Sequence, residues 1–260
     1  MNYDVVVGVG CSYMNADRIL GKNLKVATEY RPGNILSNKL KCDYVNLART
    51  GSSNGAMFRR IYDWVESNVK YKNPLFVIGL SESTRYPFYS EHRGEFYDLQ
   101  PGAVDAYTDE ALEGVNAKLT NSKDSVQNLR QWLEYYVQWV YNDEVEDKKL
   151  QRKIVFLHHY LKGNNCDYRI HNSIQDSLGN IKSEINYISF QDDRYNGDDT
   201  WVEYLRWQMR EIDKEDVKEP DNTKYRSAIP PYGKRFCDGH PSPNANKELA
   251  ERIYEDLRWR

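Results

Sequence analysis

The residues that could do chemistry stand at opposite ends of this chain. Ser12 follows the apolar run Asp4–Val9 and sits in Gly10-Cys11-Ser12-Tyr13, while Asp238-Gly239-His240-Pro241 lies just ahead of the last helical pattern. A serine hydroxyl becomes a nucleophile when a histidine takes its proton. The histidine does this well when a carboxylate holds its other ring nitrogen and stabilises the imidazolium. Asp238, two residues before His240, is of the right type for that, and Pro241 and Pro243 stiffen the approach. Ser12, His240 and Asp238 therefore have the composition of a hydrolytic triad. Alone, strand–Gly–x–Ser also reads as a helix cap, and Asp-x-His as a surface turn.

Two further segments carry site-like residues. In Asn46-Leu47-Ala48-Arg49-Thr50-Gly51-Ser52-Ser53-Asn54-Gly55, Gly51 permits a tight backbone that can present its N–H to an anion, and Ser53 or Asn54 can cap the next helix. Ile78-Gly79-Leu80-Ser81-Glu82-Ser83-Thr84-Arg85 offers hydroxyls at Ser81, Ser83 and Thr84, a carboxylate at Glu82 and a guanidinium at Arg85. Other chemistries fit less well. Gly8-Val9-Gly10 would need glycine where Tyr13 stands to bind a dinucleotide, no Walker pattern occurs, and Met14 replaces the second glycine of G-x-S-x-G. Cys11, Cys42, Cys166 and Cys237 show neither C-x-x-C spacing nor a cysteine–histidine cluster, so no metal and no cofactor are expected, and a reducing cytoplasm suits the chain.

These residues need strands to present them. Apolar stretches at Asp4–Val9, Tyr44–Leu47, Leu75–Leu80, Lys153–His158 and Ile185–Phe190 predict a five-stranded sheet, several members being continuous runs suited to burial on both faces. Helical spacing occurs at Ile35–Leu40, Ala56–Val69, about 125–141 and Asn244–Leu257. Strands alternating with helices predict parallel βαβ units, so the expected fold is a three-layer α/β/α, flavodoxin-like domain. In such a sheet ligands gather at the carboxyl ends of the strands, where Ser12 stands. The stretches at about 86–120 and 192–236 are polar and weakly periodic and read as insertions into one domain spanning 1–260.

Composition narrows the partners. With 36 Lys+Arg against 39 Asp+Glu the net charge is −3, so no overall basic field favours nucleic acid. No apolar stretch approaches the ~20 residues that cross a bilayer, and no basic leader precedes the first apolar run. Tyrosine (21) and tryptophan (6) are plentiful enough to fill a core or to line a groove that stacks on sugars or bases. The oligomeric state is left open.

Gly10-Cys11-Ser12-Tyr13, Asn46 through Asn54, Ile78-Gly79-Leu80-Ser81 and Asp238-Gly239-His240-Pro241, in this order, resemble the blocks of the SGNH hydrolase (GDSL esterase/lipase) superfamily. The resemblance implies an SGNH hydrolase fold and a serine esterase with Ser12 as nucleophile, His240 as general base and Asp238 orienting it. It also implies the N–H groups of Ser12 and Gly51 as oxyanion donors and a small-molecule ester as substrate; the aromatic, polar stretches, with no apolar lid suited to lipid, favour a carbohydrate ester that loses an acyl or acetyl group. Two positions depart from the family pattern. Cys11 stands where aspartate is usual, and Ser81 where the third block has asparagine, so Ser81, Asn54 or Arg85 is expected to supply the missing donor. A non-catalytic binding or virion-associated module and an acyltransferase acting on a sugar or nucleoside hydroxyl are the alternatives. The NLA-x-x-G-x-SN and GLS-x-x-x-R patterns look most like a branch common in tailed bacteriophages, which would place the protein in a host cytoplasm.

Overall fold

The structure is a computed structural model and describes residues 2–16, 28–68, 70–91, 94–100, 108, 112–113, 115, 126–213, 235–237 and 240–259. Its centre is a sheet of four parallel strands, β1 (Val5–Val9), β2 (Asp43–Asn46), β3 (Pro74–Leu80) and β6 (Asp167–Asn172), in the order β2-β1-β3-β6. All of β1 and β3 is buried, as their unbroken apolar runs require of strands covered on both faces. The register pairs Gly8 with Asn46 and Val9 with Ile78, so β1 ends between the ends of its two neighbours. The chain's direction of travel across the sheet reverses at β1, which makes its carboxyl end the switch point of the fold.

Helices cover both faces. Helix α2 (Pro32–Leu40) lies over Gly8, where a Cβ on Gly33 would stand 3.4 Å from the Gly8 Cα. Phe76 pairs in register with Val7, whose side chain points opposite to Gly8, and meets Trp64 of α3 (Asn54–Ser67) edge to face at 5.3 Å. The C-terminal helix Pro243–Trp259 packs beside α2. Helix α5 (Asp143–Gly163) joins α3 through Tyr62 and Tyr160, 4.7 Å between ring centroids.

Two expectations need correction. Lys153–His158 is no strand but part of α5, because Leu150, Ile154, Leu157 and Leu161 recur every three or four residues and are buried, while Phe156 is 65% exposed. The helix is fixed by Asn142, whose side chain accepts from the Val145 N–H, and by Asp143, Glu144 and Glu146 in its first turn. The strand in its stead is β6, whose polar Asp-Tyr-Arg-Ile-His-Asn sequence hides a buried segment. Arg169 is admitted there because Asp256 and Asp167 take its charge at 2.6 and 3.0 Å. The sheet accordingly has four strands, not five. Ile185–Phe190 contributes a single parallel bridge, Ile170 to Tyr187, since the Phe190 N–H donates to the Asp199 carboxylate at 2.7 Å instead of continuing a ladder.

Between β3 and α5 an antiparallel hairpin, β4 (Tyr86–Ser90) with β5 (Glu95–Leu99), packs with α4 (Val126–Tyr135) around Leu99, Leu112 and Leu133, a small core apart from the main one. Tyr136–Val140 extends α4 as a π-helical turn. In the second polar stretch α6 (Trp201–Trp207) is capped by Thr200 and buries Trp201, Val202, Tyr204 and Leu205 in the main core. None of the described helices is long and apolar enough to cross a membrane.

Candidate active site

Ser12 opens α1 (Ser12–Asn15), a single helical turn directly after β1. Two glycines set where that turn can lie. A Cβ on Gly10 would collide with Met14, and one on Gly79 would stand 2.7 Å from both Met14 Cγ and Ser173 Oγ. Met14, 1% exposed, therefore seats α1 against bare backbone at the ends of β1 and β3. On the other side the Asn46 amide donates to Asn15 Oδ1 at 3.0 Å, and Arg31 Nε donates to the Asn15 carbonyl at 2.8 Å. With Met14 and Asn15 anchored on opposite sides, the turn holds Ser12 almost fully buried, and as a first helical residue Ser12 has a backbone N–H without an intrahelical acceptor.

His240 comes from the far end of the chain. The two-residue strands β7 (Phe236–Cys237) and β8 (His240–Pro241) pair antiparallel, Cys237 opposite His240. Behind them the Ser242 N–H donates to the Arg235 carbonyl at 2.8 Å, and Ser242 Oγ accepts from the Ala245 N–H, starting the C-terminal helix, α7 (Pro243–Trp259). Arg235 is itself held by Asp213 at 2.8 Å and Glu248 at 2.5 Å. The outcome is a hydrogen bond of 2.9 Å between His240 Nε2 and Ser12 Oγ, linking residues 228 apart in sequence. The Tyr13 ring lies 5.2 Å from the imidazole, tilted by 42°. Burial above all, and the nearby Cys11, hold the Tyr13 phenol protonated well above its ordinary range.

The remaining expected residues divide. Asp238 lies outside the described residues. Gly51 adopts φ +77°, a left-handed conformation that only glycine takes without strain. Asn54 is committed: its amide donates to the Ser81 carbonyl at 3.0 Å and its oxygen accepts from the Ser81 N–H at 2.9 Å, tying the start of α3 to the end of β3. Arg85 is committed likewise, to the Ser52 carbonyl at 3.3 Å and the Glu82 carboxylate at 3.4 Å. Ser81 differs from both, for its Oγ is buried and has no hydrogen-bond partner among the described residues. Ser53, not Asn54, caps α3, accepting from the Ala56 N–H at 3.1 Å.

Sequence reasoning missed three contributors. Tyr13 is adjacent to Ser12, yet nothing local shows that its ring will meet His240. Arg60 donates to the Leu47 carbonyl at 2.9 Å and to Ser52 Oγ at 2.8 Å, bracing the turn that carries Gly51, and burial followed by repulsion from Arg49 lowers its pKa to about 10. His171, fully buried on β6, shares a 3.3 Å contact with Ser173 Oγ beside Gly79, and burial lowers its pKa to about 3. No group of three or more His, Cys, Asp or Glu among the described residues could hold a metal ion.

Neither a protein-family model nor a curated protein matches the chain. Among solved structures it is similar to a psychrotrophic esterase, EstA, from a Pseudoalteromonas species, at 12% identity and TM-score 0.44, with 98% of this chain and 97% of that one covered. It is also similar to a family two carbohydrate esterase from Clostridium thermocellum, at 12% identity and TM-score 0.38, covering 98% of this chain and 63% of that one. At such values these likenesses carry no weight for function, which rests on the Ser12–His240 pair.

Proposed function

We propose that this chain is a serine ester hydrolase of the SGNH (GDSL) type, which removes an acyl or acetyl group from a carbohydrate ester. One observation carries the reading. Ser12 Oγ and His240 Nε2 stand 2.9 Å apart at the carboxyl edge of a parallel sheet, beside the switch point where such folds bind ligands. In the proposed reaction His240 Nε2 takes the Ser12 proton as Oγ attacks the ester carbonyl, Asp238 holding the imidazole by its other nitrogen. The oxyanion faces the backbone N–H groups of Ser12 and Gly51. Of the three side chains that could supply a further donor, Ser81 is favoured, because its hydroxyl is uncommitted whereas Asn54 and Arg85 are engaged elsewhere. Collapse expels the alcohol, which takes its proton from His240, and water then clears the acyl group from Ser12 by the same steps in reverse. The carbohydrate preference rests on the aromatic, polar composition of the stretches at about 86–120 and 192–236. The bacteriophage branch and a cytoplasmic place of action belong to the same proposal, on sequence patterns alone.

The test is a fluorophosphonate label mapped by mass spectrometry, followed by turnover of acetylated sugars and short-chain esters. Labelling at Ser12, and a fall of three or more orders of magnitude in Ser12→Ala, are expected. Retention of full activity by Ser12→Ala, with loss in Cys11→Ala, would overturn the assignment in favour of a thiol mechanism.

A further inference from the structure

His240 is carried by a strand pair of only two residues a side, too short to hold a side chain in place by its own ladder. A polar clamp stands at the open end of that pair. There the Ser242 N–H donates to the Arg235 carbonyl at 2.8 Å, so the backbone of Arg235 closes the pair beyond Phe236 and Pro241. The Arg235 side chain reaches two other parts of the fold. Its Nε and Nη2 donate to the two carboxylate oxygens of Asp213 at 2.8 and 3.4 Å, fork to fork, and its Nη1 donates to Glu248 Oε2 of α7 at 2.5 Å. Glu248 Oε1 accepts from Gln208 Nε2, also at 2.5 Å, which completes the set. Burial opposes the charge on Arg235, but the hydrogen bond to Asp213 and the charges of Glu248 and Asp213 outweigh it and raise its pKa.

The clamp depends on an irregular turn. Helix α6 runs on as a π-helical turn, Gln208–Ile212, in which the Asp213 N–H donates at 2.9 Å to the carbonyl of Gln208, five residues back. In a regular α-helix residues five apart stand about 140° apart around the axis, on different sides. The wider turn brings Gln208 and Asp213 towards one side, where each meets one member of the Arg235–Glu248 pair. Such turns are rare and recur at functional sites. A buried ion set adds little net stability over apolar packing, and where it is kept it can fix one geometry. The side chains of Arg235 and Asp213 are 17% and 9% exposed, so the set is of that kind. Five residues after Arg235 stands His240, whose Nε2 lies 2.9 Å from Ser12 Oγ.

We infer that Arg235 is a positioning residue for His240: the clamp of Gln208, Asp213, Arg235 and Glu248, assembled by the π-helical turn, sets the distance from His240 Nε2 to Ser12 Oγ. The role of His240 as general base rests on the hydrolase reading; its positioning does not. The experiment therefore has two arms, each run on wild type and three variants. Arg235→Gln removes the clamp, and deletion of the exposed Glu211 returns the turn to α-helical spacing. Asp256→Asn is the control, since it takes a partner from Arg169 in the same helix α7, about two turns beyond Glu248. In the first arm the ring nitrogens of isotopically labelled histidine are followed by NMR, and Ser12→Ala marks where the His240 Nε2 resonance goes when its partner is lost. Arg235→Gln and the deletion are expected to move the resonance towards that place, and Asp256→Asn to leave it as in wild type. In the second arm kcat on a short-chain ester is expected to fall about a hundredfold in Arg235→Gln and in the deletion, the loss that a misplacement near ~1 Å brings, with KM within about threefold and Asp256→Asn near wild type. Should either variant not fold, Arg235→Lys, which keeps the charge and loses the fork, takes its place. The inference falls if Ser12→Ala leaves the resonance unmoved, if a folded clamp variant keeps the wild-type resonance, or if Asp256→Asn moves it as far. It falls too if wild type turns over esters and Arg235→Gln keeps full kcat. If wild type turns over no ester, the hydrolase reading falls while the His240 resonance still decides this one.

Discussion

Gly79→Ala makes a sharp test of how the fold holds its nucleophile, because the added methyl meets the side chain that seats α1. A Cβ at position 79 would lie 2.7 Å from Met14 Cγ, 2.7 Å from Ser173 Oγ and 3.0 Å from Met14 Sδ. Ordinary carbon contacts begin near ~3.5 Å, so Met14 must retreat by something under ~1 Å. Cγ is near the root of that side chain and Met14 is buried, so rotation about its outer bonds gives little relief and α1 has to move with it. Overpacking of this kind costs roughly 1–3 kcal/mol of stability. A shift of that size in α1 would also take Ser12 Oγ from 2.9 Å to beyond hydrogen-bond reach of His240 Nε2. A misplacement near ~1 Å costs on the order of a hundredfold in turnover. The assay pairs urea unfolding with kcat on a chromogenic ester under conditions where the variant is fully folded. A hundredfold loss of kcat in folded Gly79→Ala is expected, with partial recovery when Met14→Ala removes the clash. Full kcat in a folded Gly79→Ala would refute the idea that Met14 sets the position of Ser12.

Two further outcomes follow from the same structure. His240→Ala and Asp238→Ala should each remove most turnover, and the double variant should lose little more than His240→Ala alone, because members of one proton-transfer unit are not additive; strictly multiplicative losses would exclude Asp238 from it. His171 is buried with a pKa lowered to about 3, so the unfolded chain, where histidine titrates near ~6.5, binds the extra proton as pH falls. The neutral form thus contributes stability above pH ~6.5 that is lost progressively towards pH ~3, about 2 kcal/mol of it by pH ~5. Urea unfolding at pH ~7.5 and ~5 should show that loss in wild type and a shallower one in His171→Phe, and identical slopes would rule His171 out as its source.

What local sequence determined here is whatever depends on unbroken burial or on short-range backbone chemistry. The runs in β1 and β3 are apolar without interruption because both faces are covered, and β1-Gly-x-Ser ends where a chain must turn into a helix. The positive φ at Gly51 and the cap at Ser53 are likewise consequences of residues within a few positions of each other. The Ser12–His240 partnership was legible as residue types, since only a few chemistries use a serine at a strand end with a late Asp-x-His. The contact itself was decided by tertiary structure, through Met14 seated between two glycines and a two-residue strand pair 228 positions away. Tertiary structure also decided what polarity obscured. Asp167–Asn172 carries no apolar run that marks it as a strand, and it enters the sheet because Asp256, from the last helix, neutralises Arg169. Lys153–His158 looks like a strand when its six residues are read alone, and only the longer spacing from Leu150 to Leu161, with Phe156 facing solvent, shows a helix.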